Sequence, residues 1–128
     1  MKASASVELL EHVGFRAVAR GTASIDGLTE TVTHEIDLGT EPVQRLRAQR
    51  GEVWFADVLN RLPELARGKA LGIARDILID RMLTPEEREE RRTRRPEQPM
   101  SPGLAAKHER RRVLCDAVCD ALGVKRGG

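Results

Sequence analysis

Two runs of arginine have the widest chemical reach in this chain: Arg91, Arg92, Arg94 and Arg95, then Arg110, Arg111 and Arg112. Such clusters attract phosphates or an acidic protein surface, although most are solvated helix faces. Arginine is also enriched among the residues that dominate binding energies. The catalytic inventory is thinner. His34 is a candidate general base, set against a half-buried histidine at a sheet edge, which is the commoner outcome. His12 stands beside Glu11 with no partner readable from the sequence. Cys115 and Cys119 with His108 offer three potential metal ligands, but a zinc site sets a second pair of ligands beside such a cysteine pair, and here only the lone histidine stands near. Packing as small apolar side chains is therefore favoured for the two cysteines. The carboxylate pairs Asp76/Asp80 and Asp116/Asp120 lie among arginines (Arg75, Arg81, Arg110–Arg112), which points to surface ion pairs. Arg67-Gly68-Lys69 lacks the surrounding phosphate-loop pattern, and there is no nucleophile elbow and no tyrosine. No cofactor and no metal are implied, and the expectation is a protein that is not an enzyme.

The elements that must position these arginines follow from composition and periodicity. The 128 residues suit one domain. Aromatics are only 2% of the chain, so the core has to be built from Leu, Val, Ile and Ala. Charge is unevenly spread. Through Leu83 there are 11 basic and 12 acidic residues, and from Thr84 onward 11 and 8, so the positive excess sits in the last third. No apolar run reaches the ~18 residues of a membrane span. The N-terminal residues lack an apolar stretch of signal-peptide length. Cys115 and Cys119, spaced i, i+4 on a helix, do not meet disulfide geometry readily. A cytoplasmic protein with reduced thiols is expected.

A β-hairpin over residues 15–38 is the strongest local signal. Asp26-Gly27 suits a two-residue turn with φ > 0 at both positions. Apolar residues fall on odd positions before it (Phe15, Ala17, Ala19, Ala23, Ile25) and on even positions after it (Leu28, Val32, Ile36, Leu38). A two-residue loop then pairs Ile25 with Leu28, Gly21 with Val32, Ala19 with His34 and Ala17 with Ile36. The apolar odd residues of the first arm thus meet the even residues of the second, the side that carries its apolar residues, and a slip by one residue would set apolar against polar. Ala17, Ala19, Gly21 and Ala23 leave room for a helix to approach closely.

Beyond Gly39 the period becomes helical. Thr40-Glu41-Pro42 opens a helix of about 41–50. Residues 54–62 lean to helix, with a third strand at Val53–Leu59 as the alternative. Pro63 opens a helix to Leu83 with Ala66, Ala70, Ile73, Ala74, Ile77, Leu78 and Met82 as its apolar stripe. Thr84-Pro85-Glu86-Glu87 has the form of a capping box. The charged run behind it lacks an apolar face and is expected to project into solvent or onto a partner. Residues 96–103 form a linker with three prolines. A last helix runs from about Pro102 or Leu104 to Leu122, with Gly123 as its stop and Ala106, Val113, Leu114, Ala117, Val118, Ala121 and Leu122 as its apolar face. The tail 124–128 is expected to fray.

The segment Lys69–Leu83, which reads Lys-Ala-Leu-Gly-Ile-Ala-Arg-Asp-Ile-Leu-Ile-Asp-Arg-Met-Leu, resembles the second half of helix-turn-helix DNA-binding motifs. The resemblance covers some 15 residues of the chain. It implies a turn at Leu71-Gly72-Ile73 and a recognition helix opened by Ala74, with Ala74, Arg75, Ile77 and Arg81 facing DNA. The sequence departs from the pattern at Gly68, where a small residue of the preceding helix stands beside Arg67. It departs again at Asp76 and Asp80, which sit badly against phosphates.

The expected fold is α+β: an N-terminal two-stranded antiparallel hairpin packed on three or four helices, with a C-terminal helix after a Pro-rich linker. Residues 1–83 form the core, 84–103 the charged arm and linker, and 104–128 the last helix and tail. The expected function is that of a small regulatory or adaptor protein, in the manner of an inhibitor or accessory factor, that binds a protein or nucleoprotein through Arg91, Arg92, Arg94, Arg95, Arg110, Arg111 and Arg112. DNA binding through residues 66–83 is the second expectation, and a small enzyme centred on His34 the third. The exposed hairpin edge is compatible with a homodimer.

Overall fold

The computed structural model describes residues 2–124. The fold is α+β, with a three-stranded antiparallel sheet and, among the described residues, five helices. The strands β1 (Ala3–Val13), β2 (Arg16–Ile25) and β3 (Leu28–Asp37) follow one another as a simple meander with β2 in the centre. The expected hairpin is β2–β3. Its register matches the predicted one at Ile25–Leu28, Gly21–Val32, Ala19–His34 and Ala17–Ile36. Asp26 and Gly27 both take positive φ, 50° and 84°, as the tight turn demands.

The third strand corrects the two-stranded expectation. Residues 3–9 alternate Ala3, Ala5, Val7 and Leu9 with Ser4, Ser6 and Glu8, so this stretch too has one apolar side. Gly14, at φ 59°, turns the chain into β2. The pairing slips between Leu9 and Glu11, leaving Leu10 as an extra residue in a bulge on this edge strand. Bulges blunt an edge against pairing with other chains. β3 is the regular unpaired edge.

Four helices follow the sheet closely: α1 (Glu41–Arg50), α2 (Glu52–Asn60), α3 (Leu62–Met82) and α4 (Pro85–Thr93). The last, α5 (Pro102–Leu122), starts at the third linker proline and stops where Gly123 adopts φ 70°. Residues 53–59 are helical. The tail beyond Val124 lies outside the described residues.

α3 and α5 lie on the same side of the sheet, against the odd residues of β1 and β2 and the even residues of β3. One lobe of the core joins Ala23 and Ile25 to Leu71, Ala74, Leu78 and Ile79 of α3 and to Leu114 and Val118 of α5. The other joins Ala17, Ala19 and Leu38 to Phe55 of α2 and to Leu62, Ala66 and Ala70 of α3. Phe15 meets Phe55 edge to face at 5.2 Å between ring centres.

The apolar stripe of α3 is rotated from the expected one. Leu71 and Ile79 are buried, whereas Ile73 is half-buried and Ile77 is 37% exposed. On α5 the expected face also shifts, with Leu104 buried and Ala106 exposed. The opposite face of the sheet carries hydroxyl and charged side chains bonded across strands. Thr22 pairs with Thr31 at 3.0 Å and Ser24 with Thr29 at 2.8 Å. Arg20 holds Glu8, and Arg16 holds both Glu11 and Glu35.

Candidate anion-binding cleft

The charged helix α4 folds back onto α5, where the sequence alone had it projecting. Its start is fixed locally. The Thr84 hydroxyl accepts from the Glu87 amide at 3.1 Å, and the Glu87 carboxylate accepts from the Thr84 amide at 2.8 Å. That capping box satisfies two donors the helix would otherwise leave bare. Because α4 buries no residue, polar contacts must hold it down. Lys107 of α5 donates to Glu87 at 2.9 Å. Glu90 accepts from the Ser101 amide at 2.8 Å and from its hydroxyl at 2.5 Å. The same hydroxyl accepts from the Leu104 amide at 3.3 Å and so caps α5. Ser101 thus ties the end of the proline linker, the start of α5 and the side of α4 together.

These bonds act on the carboxylates. Glu87 is held below its ordinary pKa by the Thr84 main-chain N–H first and by Lys107 second. Glu90 is held low by the Ser101 hydroxyl, then by the Ser101 main-chain N–H. Both stay ionised at neutral pH, as hydrogen-bonded carboxylates do.

Between the end of α3, α4 and the first turns of α5 lies a cleft of about 220 Å³. Ile79, Leu83, Met100 and Leu104 supply its apolar lining, and Arg91, Arg94, Lys107, His108 and Arg111 its basic one. Helical spacing assembles it. Arg91 and Arg94 are three apart, and Leu104, Lys107, His108 and Arg111 share a face at separations of three, four and seven. Lys107 is engaged by Glu87. Among the described residues Arg91, Arg94 and Arg111 form no ion pair, although Arg94 is near enough to Glu90 to help hold its pKa down. The Nε atoms of Arg94 and Arg111 are shut off from solvent and have no hydrogen-bond partner. A buried donor without a partner carries a desolvation cost.

The seven arginines singled out in the sequence therefore divide. Arg91, Arg94 and Arg111 converge on the cleft. Arg92 is taken by Glu89 at 2.6 Å, Arg112 by Glu109 and by Asp116 at 3.8 Å, and Arg110 by Asp26 at 3.3 Å. Arg95 is exposed, and its main-chain N–H donates to Gln98 at 3.2 Å. Sequence reasoning missed Lys107, His108 and the apolar lining as members of this group. The available signal was the mixed stripe Leu104, Lys107, His108 and Arg111.

The other candidates are not gathered into a site. α3 runs unbroken from Leu62 to Met82, so Leu71-Gly72-Ile73 is helix where a helix-turn-helix needs a turn. Ala74 is fully buried, Arg75 pairs with Asp76 at 3.0 Å, and Arg81 pairs with Glu30 at 2.9 Å. Only Ile77 of that set faces outward without an ion pair to make. His34 is half-buried on the inner side of β3, as the hairpin register predicts. Cys115 and Cys119 are free thiols, both half-buried. Among the described residues no three His, Cys, Asp or Glu side chains are grouped to hold a metal ion. No described helix is long and apolar enough to cross a membrane.

The cleft is thus a concave patch of positive charge over an apolar lining, suited to holding an anion that also has something apolar to bury. No protein-family model matches this chain, and no curated protein and no solved structure matches it either.

Proposed function

We propose that this chain is a non-enzymatic binding protein that docks an anionic segment of a protein partner in the α3–α4–α5 cleft. The observation that carries the reading is the convergence on one cavity of Arg91, Arg94 and Arg111, none of which forms an ion pair among the described residues. A solvated charge run would instead be neutralised along its own helix, as Arg92 and Arg112 are. A protein partner is favoured over DNA because the free guanidinium groups line a concave pocket with an apolar lining. Arg92, Arg110 and Arg112, outside it, face carboxylates that would repel a phosphate backbone. The free thiols Cys115 and Cys119 fit a reducing, cytoplasmic setting.

The test is fluorescence anisotropy with two labelled probes, each followed through a salt series. One is a short peptide that contains Glu and Asp and ends in Leu with a free carboxylate. The other is a duplex DNA. The expected result is salt-sensitive peptide binding that is lost when Arg91, Arg94 and Arg111 together become Gln and kept when Arg92 and Arg112 do. DNA binding that is tighter than peptide binding and lost in the same triple variant would move the protein to the nucleic-acid class. Absence of peptide binding at low salt overturns the reading.

A further inference from the structure

We infer that the group the cleft receives is the carboxyl terminus of a partner polypeptide whose last residue is apolar. The inference rests on the preceding reading and specifies its ligand.

Size is the first argument. At about 220 Å³ the cleft falls below the roughly 300–1,000 Å³ of sites that hold drug-sized ligands and cofactors. One residue is the fitting unit. The second argument is the pairing of surfaces. A bare phosphate, or an Asp or Glu side chain, would use the arginines and leave Ile79, Leu83, Met100 and Leu104 without an apolar partner. An internal apolar residue would do the reverse. A terminal residue brings both halves on one carbon, a carboxylate beside an apolar side chain. Met100, half-buried and unbranched, can adjust to the shape of that side chain.

The third argument is donor geometry. A guanidinium takes a planar carboxylate end-on through its two terminal nitrogens as well as side-on. In Arg94 and Arg111 Nε is shut off from solvent, which leaves the terminal nitrogens to meet a carboxylate in the cleft. A carboxylate has two oxygens, one for each arginine or both for one. Glu87 and Glu90 are already hydrogen-bonded by Thr84, Lys107 and Ser101, and Glu90 shares with Arg94 a longer-range attraction without a hydrogen bond. Capture of a chain terminus by converging donors is an established mode of peptide recognition.

The experiment compares three forms of the peptide probe by titration calorimetry with the intact protein. The first is the acidic peptide ending in Leu with a free carboxylate. The second is the same peptide amidated at its C-terminus. The third keeps the free terminus but has every Glu and Asp replaced by Gln and Asn. The expected result is that the first and third bind comparably and that amidation weakens binding by about tenfold or more, the size of one lost charge-assisted contact. Replacing the terminal Leu by Gly should weaken the third form by a similar factor. In a protein with Arg94→Gln and Arg111→Gln the preference for acid over amide should vanish. If the amidated peptide binds as well as the free acid and the neutralised one does not bind, the terminus inference is overturned while the anionic-segment reading stands. If no form binds, both fall.

Discussion

The main chain of Leu71 lies so close to Gly21 that a Cβ on the glycine would stand 2.7 Å from both the Cα and the amide nitrogen of Leu71. α3 therefore rests on the backbone of β2, in the groove that Ala17, Ala19 and Ala23 leave on either side. Gly21→Ala has to lift the helix off the sheet, and overpacking of this kind costs about 1–3 kcal/mol. Gly68, in the same helix, has nothing within 4 Å of a Cβ position. Gly68→Ala should stabilise by up to ~1 kcal/mol, the difference in helix propensity. Urea unfolding midpoints of the two variants should move in opposite directions. An unchanged midpoint for Gly21→Ala would show that the contact is looser than described.

Ser101→Ala removes the cap of α5 and the hydroxyl bond to Glu90, and keeps the main-chain N–H bond. Loss of a cap costs about 1 kcal/mol. The larger effect should be local, with the amide protons of α4 exchanging faster than those of α3. Equal protection of α4 in the variant and the parent would mean that Lys107–Glu87 and the Ser101 main-chain bond hold the helix in place without the hydroxyl.

Acid should loosen the same contact. Glu87 and Glu90 both sit below their ordinary pKa of 4.5 in the folded protein, Glu87 chiefly through the Thr84 amide and Glu90 chiefly through the Ser101 hydroxyl. Their stabilisation is complete above the unfolded value and is lost as pH falls through the lowered folded values. NMR shifts of the Ser101 and Lys107 amides should therefore be flat near neutrality and change below about pH 4.5. Glu87→Gln with Glu90→Gln should remove that transition and leave α3 untouched.

Leu114→Ala tests whether α5 belongs to the same core as the sheet. Leu114 is fully buried against Ile25, Leu71 and Leu78. Truncation of such a residue costs about 2–5 kcal/mol. Trp54 stands in the other lobe of the core. Its fluorescence and the helical circular dichroism should still report one coincident transition. Two separated transitions would make α5 an independent unit.

Where the sequence was legible, the signal was a strict alternation of large and small or polar residues. Ile25, Val32 and Ile36 fix the β2–β3 register, and Thr84 with Glu87 marks the start of α4. β1 escaped notice because Ala3 and Ala5 against Ser4 and Ser6 give little contrast, although the period is there. The stripe of α3 was misphased because Leu71, Ile73, Ile77, Leu78 and Ile79 crowd the helix with apolar residues on several sides. Only the position of Gly21 and the packing of α5 decide which of them turn inward. The cleft was half legible. Three of its arginines were named from the sequence, but the docking of α4 depends on a contact eleven residues away, between Glu90 and Ser101, across a linker whose path no local pattern reveals.

The first strand and the last helix of this chain cover each other. Ala3, Ala5 and Val7 pack against a core lobe that Leu114 and Val118 complete. On a ribosome β1 emerges well before α5. The meander can pair early, since each strand neighbours the next in sequence, but the apolar side of β1 waits until α5 has been made. A nascent chain stalled before Leu114 would expose that side on an edge strand, the kind of surface that chaperones bind and that seeds aggregation.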